Sequence, residues 1–298
     1  MQRILSMILT AVLMCTTLFG LLGEKYDVYE NIRYGDAARD LVSVYVPKNA
    51  YHREKNGCVL ILHGGSWNGG EKEDMAPFCK KIAMQGYIAA TMSYSLCDKV
   101  EITDVTVFTM LDEITACSRA LQKFSDEKNL HIASLALSGY SVGGHLSMLY
   151  SYARPQDSAI PLVFTANRVG PADLTARAWG KGAYRMCSRL VRQELTEEMQ
   201  QSGEADRLCR EISPVYYITE ATIPSIFAYA GNDPIVTKGN RTAMVKKFGE
   251  VFGENGNGYD YIFYPMSGHG LLLDPVSEYK YDQALFRYCE TYFGYAGR

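Results

Sequence analysis

The sequence predicts an α/β fold, a mostly parallel central sheet covered by helices on both faces. Three observations carry this. Short strand-like runs alternate with helix-length segments along most of the chain. Some of those runs are continuously apolar, as strands buried on both faces must be. The residues with chemical potential follow directly after strand-like runs, where an open α/β sheet collects its ligands.

In order, residues 41–46 alternate as an early strand, and 58–62 form an unbroken apolar strand. Residues 75–85 read as a helix, 87–92 as a strand and 105–124 as a long helix. Leu135, Ala136 and Leu137 make a buried strand, and a helix is expected over 144–150. Strands follow at 163–169, 225–230 and 259–264, and helices over 242–252 and 279–293 close the fold. The segment 176–217 breaks the alternation. It holds helix-like charged stretches at 191–201 and 204–211, and a connection of that length predicts a cap over the site.

The strand and helix around residue 140 enclose Gly139-Tyr140-Ser141-Val142-Gly143, a G-x-S-x-G. A strand-to-helix turn this tight strains the serine backbone and lifts the hydroxyl clear of the sheet. Flanking glycines keep side chains out of the turn. Ser141 is therefore the candidate nucleophile, and a serine needs a base, an orienting acid and an oxyanion site. His145 lies within the helix after the turn, His52 in a polar loop, and His131 ahead of the strand. His269 follows the strand at 259–264 between small residues and is the candidate base. Where a serine sits on such a turn, the acid comes between it and the histidine. Asp233, in Gly231-Asn232-Asp233-Pro234 after the strand at 225–230, takes that role, ahead of Asp173 and Asp274.

Upstream, His63-Gly64-Gly65-Ser66-Trp67 follows the strand at 58–62. Its glycines offer backbone N–H groups to a developing negative charge, and the amide of Val142 offers another. Gly64, Gly65 and Val142 are thus the expected oxyanion donors, with His63 as a brace for the loop. A phosphate loop is the competing reading, but the stretch has neither Gly-Lys-Ser/Thr nor G-x-G-x-x-G. Ser66 and Trp67 beside this loop, and Trp179 and Tyr184 in the cap, are the expected substrate-binding side chains.

Taken together, these pieces resemble the α/β-hydrolase superfamily, with the nearest likeness to bacterial acetyl-xylan and feruloyl esterase-like enzymes and to kynurenine formamidases. The matching stretches include 63–72, 93–96, 139–146, 170–174, 212–214, 231–234 and 268–269, so the resemblance runs from about Tyr34 to the C-terminus. Ser66 stands where relatives carry glycine, and Val142 where they carry alanine. The resemblance implies hydrolysis of small-molecule or carbohydrate esters, or of amides as a peptidase or aryl formamidase would, without metal or organic cofactor. A catalytically silent binding protein on the same fold is the alternative from another class.

A chain of 298 residues suits one such domain, spanning 24–298, and a net charge of −3 gives no footprint for nucleic acid. Ahead of it, residues 4–22 carry no ionised side chain and follow Arg3, which reads as a signal peptide or an uncleaved membrane anchor over residues 1–23. The expectation is a secreted or membrane-tethered protein; a buried N-terminal helix is the alternative. None of the eight cysteines forms a C-x-x-C, so a zinc site is not expected. Cys187 and Cys209 are candidates to pair within the cap.

Overall fold

The computed structural model describes residues 25–180, 182–253 and 258–294. Eight strands among them form one sheet in the order β1-β2-β4-β3-β5-β6-β7-β8. They are β1 (Tyr26–Arg33), β2 (Leu41–Pro47), β3 (Asn56–Leu62), β4 (Ile88–Met92), β5 (Ile132–Tyr140), β6 (Leu162–Arg168), β7 (Ser225–Ala230) and β8 (Tyr259–Tyr264). Strands β3 to β8 are parallel neighbours throughout, and β2 alone is reversed. Because β1 is antiparallel to β2, it points the same way as the rest and begins at their N-terminal ends. β1 was not legible in the sequence. It is an edge strand with much of its surface exposed, so no apolar run marks it.

The helices between the strands are α1 (Ala76–Met84), α2 (Val107–Lys128), α3 (Val142–Ala153), α8 (Lys238–Phe252) and α9 (Pro275–Tyr292); α4 to α7 lie in an insertion described below. Apolar clusters lie on both faces of the sheet. One joins Val44, Leu60 and Leu137 to α2 and α3, and the other joins Ile61, Phe164 and Ile226 to α1 and α9. Every residue of β3 is buried, which is why its stretch reads as an unbroken apolar run.

The register decides where the chemistry goes. Leu62 pairs with Gly139, Tyr140 with Arg168, Arg168 with Ala228, and Ala230 with Tyr264. The strands thus end level with one another, and the residues that follow them emerge along one edge.

The insertion between β6 and β7 holds α4 (Ala176–Trp179), α5 (Gly182–Leu190), α6 (Glu197–Ser202) and α7 (Glu204–Glu211), then a 3-10 turn at Pro214–Tyr217. The stretch expected as helix at 191–201 is broken: Arg192 takes φ 57°, and the chain restarts at Thr196, whose hydroxyl caps α6 by accepting from the Met199 amide. Cys187 and Cys209 are both buried inside this insertion as free thiols, and the Cys187 thiol donates to the Leu174 carbonyl at 3.4 Å. The nearby Cys209 thiol and then burial push the Cys187 thiol far up.

The insertion docks on α3, a helix buried along nearly its whole length. His145 Nε2 donates to the Ile212 carbonyl at 2.7 Å. Burial, opposed by that bond, lowers the imidazole to about 4, from an ordinary 6.5. Residues 1–24 lie outside the described residues, and so does the expected leader or anchor; no described helix is long and apolar enough to cross a membrane.

A pH dependence follows from His145. The unfolded chain takes up a proton below pH 6.5 and the folded chain only near pH 4, so this group's contribution is complete above 6.5 and is lost as the pH falls toward 4. The full loss is about 3 kcal/mol. Urea unfolding at pH 7 and 4.5 should show a steeper decline for wild type than for His145→Asn.

Candidate active site

Ser141 closes β5 and stands ahead of α3 at φ 55°, ψ −119°. A side chain with a β-carbon adopts such a backbone only when its surroundings fix it. Here the Ser141 amide donates to the Arg168 carbonyl at 2.9 Å, and the Ser141 carbonyl accepts from the His145 amide at 3.0 Å. Gly143 is required by close approach: a β-carbon there would stand 2.0 Å from the Leu62 carbonyl oxygen at the end of β3. The motif's second glycine is thus fixed by contact with the neighbouring strand.

Asp233 and His269 are brought together. His269 Nδ1–H donates to Asp233 Oδ2 at 2.8 Å, which leaves Nε2 with its lone pair free. The carboxylate's other oxygen accepts from the amides of Ile235 (2.8 Å) and Val236 (2.9 Å), so its orientation is set by its own loop. The Asp233 side chain is 4% exposed and that of His269 15%. The two loops are laced together by Asn232, whose amide donates to the Ser267 carbonyl at 3.0 Å and whose side chain donates to the carbonyls of Pro265 and Met266.

The rival carboxylates have other work. Asp274 accepts from the Ser267 hydroxyl (2.6 Å) and amide (2.8 Å) and from the Met266 amide, and so shapes the loop leading into His269. Asp173 accepts from the amide and hydroxyl of Thr175 at the root of the insertion.

Tyr140, next to Ser141, ties the end of β5 to the His269 loop. Its hydroxyl donates to the His269 carbonyl, and the two rings meet edge to face at 5.5 Å. A direct hydrogen bond between Ser141 Oγ and His269 is absent among the described residues. A second tie runs through Arg168. Its carbonyl holds Ser141, while its guanidinium grips Glu278 on α9, just beyond the His269 loop, and lies over the ring of Tyr281. Tyr140 and Arg168 carried no sequence signal, because each reads as an ordinary strand-end residue.

On the side of the expected oxyanion donors, Gly64 lies against Ser141; a β-carbon on it would be 3.2 Å from Ser141 Cβ. The amides of Gly64 and Gly65 are unspent among the described residues, and that of Val142, at the first position of α3, has no intrahelical partner. The loop turns through three successive left-handed residues, Gly65 (φ 122°), Ser66 (54°) and Trp67 (62°). The two that are not glycine cost on the order of 1–3 kcal/mol each. Its bracing is correspondingly dense. His63 Nδ1–H donates to the Gly64 carbonyl at 2.7 Å and its ring stacks on Tyr94 at 4.0 Å, while the Tyr94 hydroxyl donates to the His63 carbonyl at 2.6 Å. Arg39 then spans the Tyr94 and Gly70 carbonyls.

Of the four expected substrate-binding residues, Ser66 is exposed beside the oxyanion loop. Trp67 is a correction. It is only 5% exposed, with its indole N–H donating to His145 Nδ1 at 3.2 Å. Tyr184 is another: it is buried in the core, and its hydroxyl donates to Asp206 at 3.1 Å. Both are internal because an amphipathic ring beside a buried acceptor gains more from packing and one hydrogen bond than from facing water. Trp179 is half-buried against the cluster that contains Phe227, Met244 and Phe248.

Comparison with known proteins agrees with this architecture. The profile of the BD-FAE family matches residues 42–248, more than half of the chain. Among curated proteins, a kynurenine formamidase of Salmo salar is 28% identical over 134 residues, 45% of this chain and 42% of that one. A non-reducing polyketide synthase of Aspergillus calidoustus is 23% identical over 157 residues, 50% of this chain and 6% of that one. The chain therefore spans less than half the length of these curated relatives. Among solved structures, a carbohydrate esterase from gut microbiota superposes with a TM-score of 0.72 at 13% identity, over 91% of this chain and 98% of that one. Esterase 2 of Thermogutta terrifontis gives 0.69 at 15%, over 92% and 95%. Esterase B of Lactobacillus rhamnosis gives 0.67 at 18%, over 98% and 96%. These likenesses show a shared fold, an eight-stranded, mostly parallel sheet of the α/β-hydrolase kind. By its matched profile, the chain belongs to the BD-FAE family.

Proposed function

We propose that the protein is a carboxylic ester hydrolase that works through Ser141, His269 and Asp233 and an acyl-enzyme intermediate. The observation that carries this is the 2.8 Å bond from His269 Nδ1 to Asp233, formed beside a serine held at φ 55° on the turn after β5. In this reading Ser141 Oγ attacks the ester carbonyl while Nε2 of His269 takes its proton. The anionic oxygen is received by the amides of Gly64, Gly65 and Val142, where each well-placed donor is worth about 10²–10³ in rate. His269 then returns the proton to the leaving alcohol, and water repeats the cycle on the acyl group.

Exposed apolar side chains that neighbour His269 and Asp233 in the chain support a choice of substrate. Met266, Leu272, Leu273, Val276 and Tyr279, around and beyond His269, are all exposed apolar side chains, with Leu272 86% exposed, and Ile235 flanks Asp233. Such a concentration favours an ester with an apolar, aryl-type alcohol over one with a bare sugar. Secretion or membrane tethering through residues 4–22 fits this reading, as an activity directed at esters outside the cytoplasm. A second reading, aryl formamide hydrolysis by the same groups, is favoured by the match to kynurenine formamidase.

Ser141→Ala is expected to lose at least about 10³-fold in kcat on p-nitrophenyl acetate while keeping its urea midpoint, since triad members act as a unit. Turnover near the wild-type rate would remove Ser141 from the mechanism.

Asp233→Asn should cost on the order of 10²–10⁴-fold in kcat by freeing the wrong histidine tautomer. Asp274→Asn should cost far less, because that carboxylate only shapes the loop. A reversed order of severity would transfer the acid role to Asp274. Running an aryl formamide beside the aryl ester in both assays decides between the two readings.

A further inference from the structure

His145 is fully buried, four residues after the nucleophile, and three structural units converge on it. Its backbone amide bonds the Ser141 carbonyl at 3.0 Å. Its ring Nδ1 accepts from the Trp67 indole at 3.2 Å, with the two rings edge to face at 5.3 Å. Its ring Nε2 contacts the Ile212 carbonyl of the insertion at 2.7 Å. The indole N–H can only donate and the carbonyl can only accept, so the tautomer is fixed with the proton on Nε2. A leucine would fill the same space without burying two polar nitrogens, so packing alone does not account for an imidazole here.

What the ring holds on its loop side is strained. Trp67 is the last of three consecutive left-handed residues that begin at Gly65, and its carbonyl is pinned by the Cys97 amide at 2.8 Å. With the carbonyl and the indole both fixed, the loop cannot relax toward ordinary dihedrals without breaking one of the two bonds. The amides of Gly64 and Gly65 precede that clamp directly.

We propose that His145 is a positioning residue for the oxyanion site: through Trp67 it fixes the Gly64 and Gly65 amides relative to Ser141, and Ile212 holds its tautomer. The inference rests on the reading of Ser141 as nucleophile. It makes the helix after the nucleophile the reference for both halves of the reacting centre. Through Ile212, it also makes the insertion a contributor to oxyanion geometry without touching substrate.

The two ring nitrogens are separable by substitution. Asparagine sets an acceptor near the position of Nδ1, and glutamine sets a donor near that of Nε2. His145→Asn therefore keeps the Trp67 bond, His145→Gln keeps the Ile212 bond, and Trp67→Phe keeps the ring and loses its N–H. The measurements are the rate of Ser141 labelling by a fluorophosphonate, located by peptide mapping, with kcat and KM for p-nitrophenyl acetate and a urea midpoint for each variant. His145→Gln and Trp67→Phe are expected to label and turn over about 10- to 100-fold more slowly, with KM within about twofold. The double variant should be no slower than either single one, and His145→Asn should stay within about threefold of wild type. Wild-type rates for Trp67→Phe would overturn the proposal, whichever His145 variants fold. So would an equal loss of kcat in His145→Asn and His145→Gln, the result expected of a ring that only fills space. If wild type itself fails to label at Ser141, the nucleophile reading falls and the proposal falls with it.

Discussion

A serine at φ 55° and ψ −119° is the conformation on which the rest of the site depends. It is unfavourable in isolation, and the neighbouring elements make it unavoidable. β3 ends with its carbonyl against Gly143, β6 offers the Arg168 carbonyl to the Ser141 amide, and α3 starts one residue later. The strain is held by strand register and by glycines that admit close backbone contact, so the geometry of Ser141 is a property of the whole sheet.

The same logic extends outward through aromatic and charged side chains that carry no chemistry of their own. Tyr140 and Arg168 reach from the Ser141 turn to the His269 loop and to α9, and Tyr94 with Arg39 braces the loop at Gly64 and Gly65 from the other side. Arg168 is nearly buried and is matched by Glu278, which also accepts from the Tyr264 hydroxyl at 2.9 Å. A buried guanidinium of this kind is tolerable only when paired and hydrogen-bonded, and removing either partner would leave an uncompensated charge beside the site.

How much of this was legible in the sequence follows from what each residue is surrounded by. Strands buried on both faces, such as β3 and β7, announced themselves as apolar runs; Ser141 and Asp233 follow strands with buried runs, while His269 follows the partly exposed β8. β1 did not, being half exposed at an edge. The helix boundary at Thr196 was hidden because charged residues at 191–201 mimic a helical surface, whereas the break depends on a single left-handed residue, Arg192. Trp67 and Tyr184 were placed at the substrate because aromatic rings near a site invite it. Their burial is decided by tertiary partners, His145 and Asp206, far away in sequence. Sequence spacing locates what a strand end presents; it does not reveal which side chains are consumed in holding that end still.

The direction of β1 has a consequence for how the domain meets its surroundings. Two antiparallel steps, β1 to β2 and β2 to β4, return β1 to the common direction, so Tyr26 lies at the end of the sheet opposite Ser141. The first described strand therefore starts at the N-terminal end of the sheet, a full strand length away from the turn that carries Ser141. Tyr26 is thus a point at which the domain can be held to a support with the length of the strands between the support and Ser141.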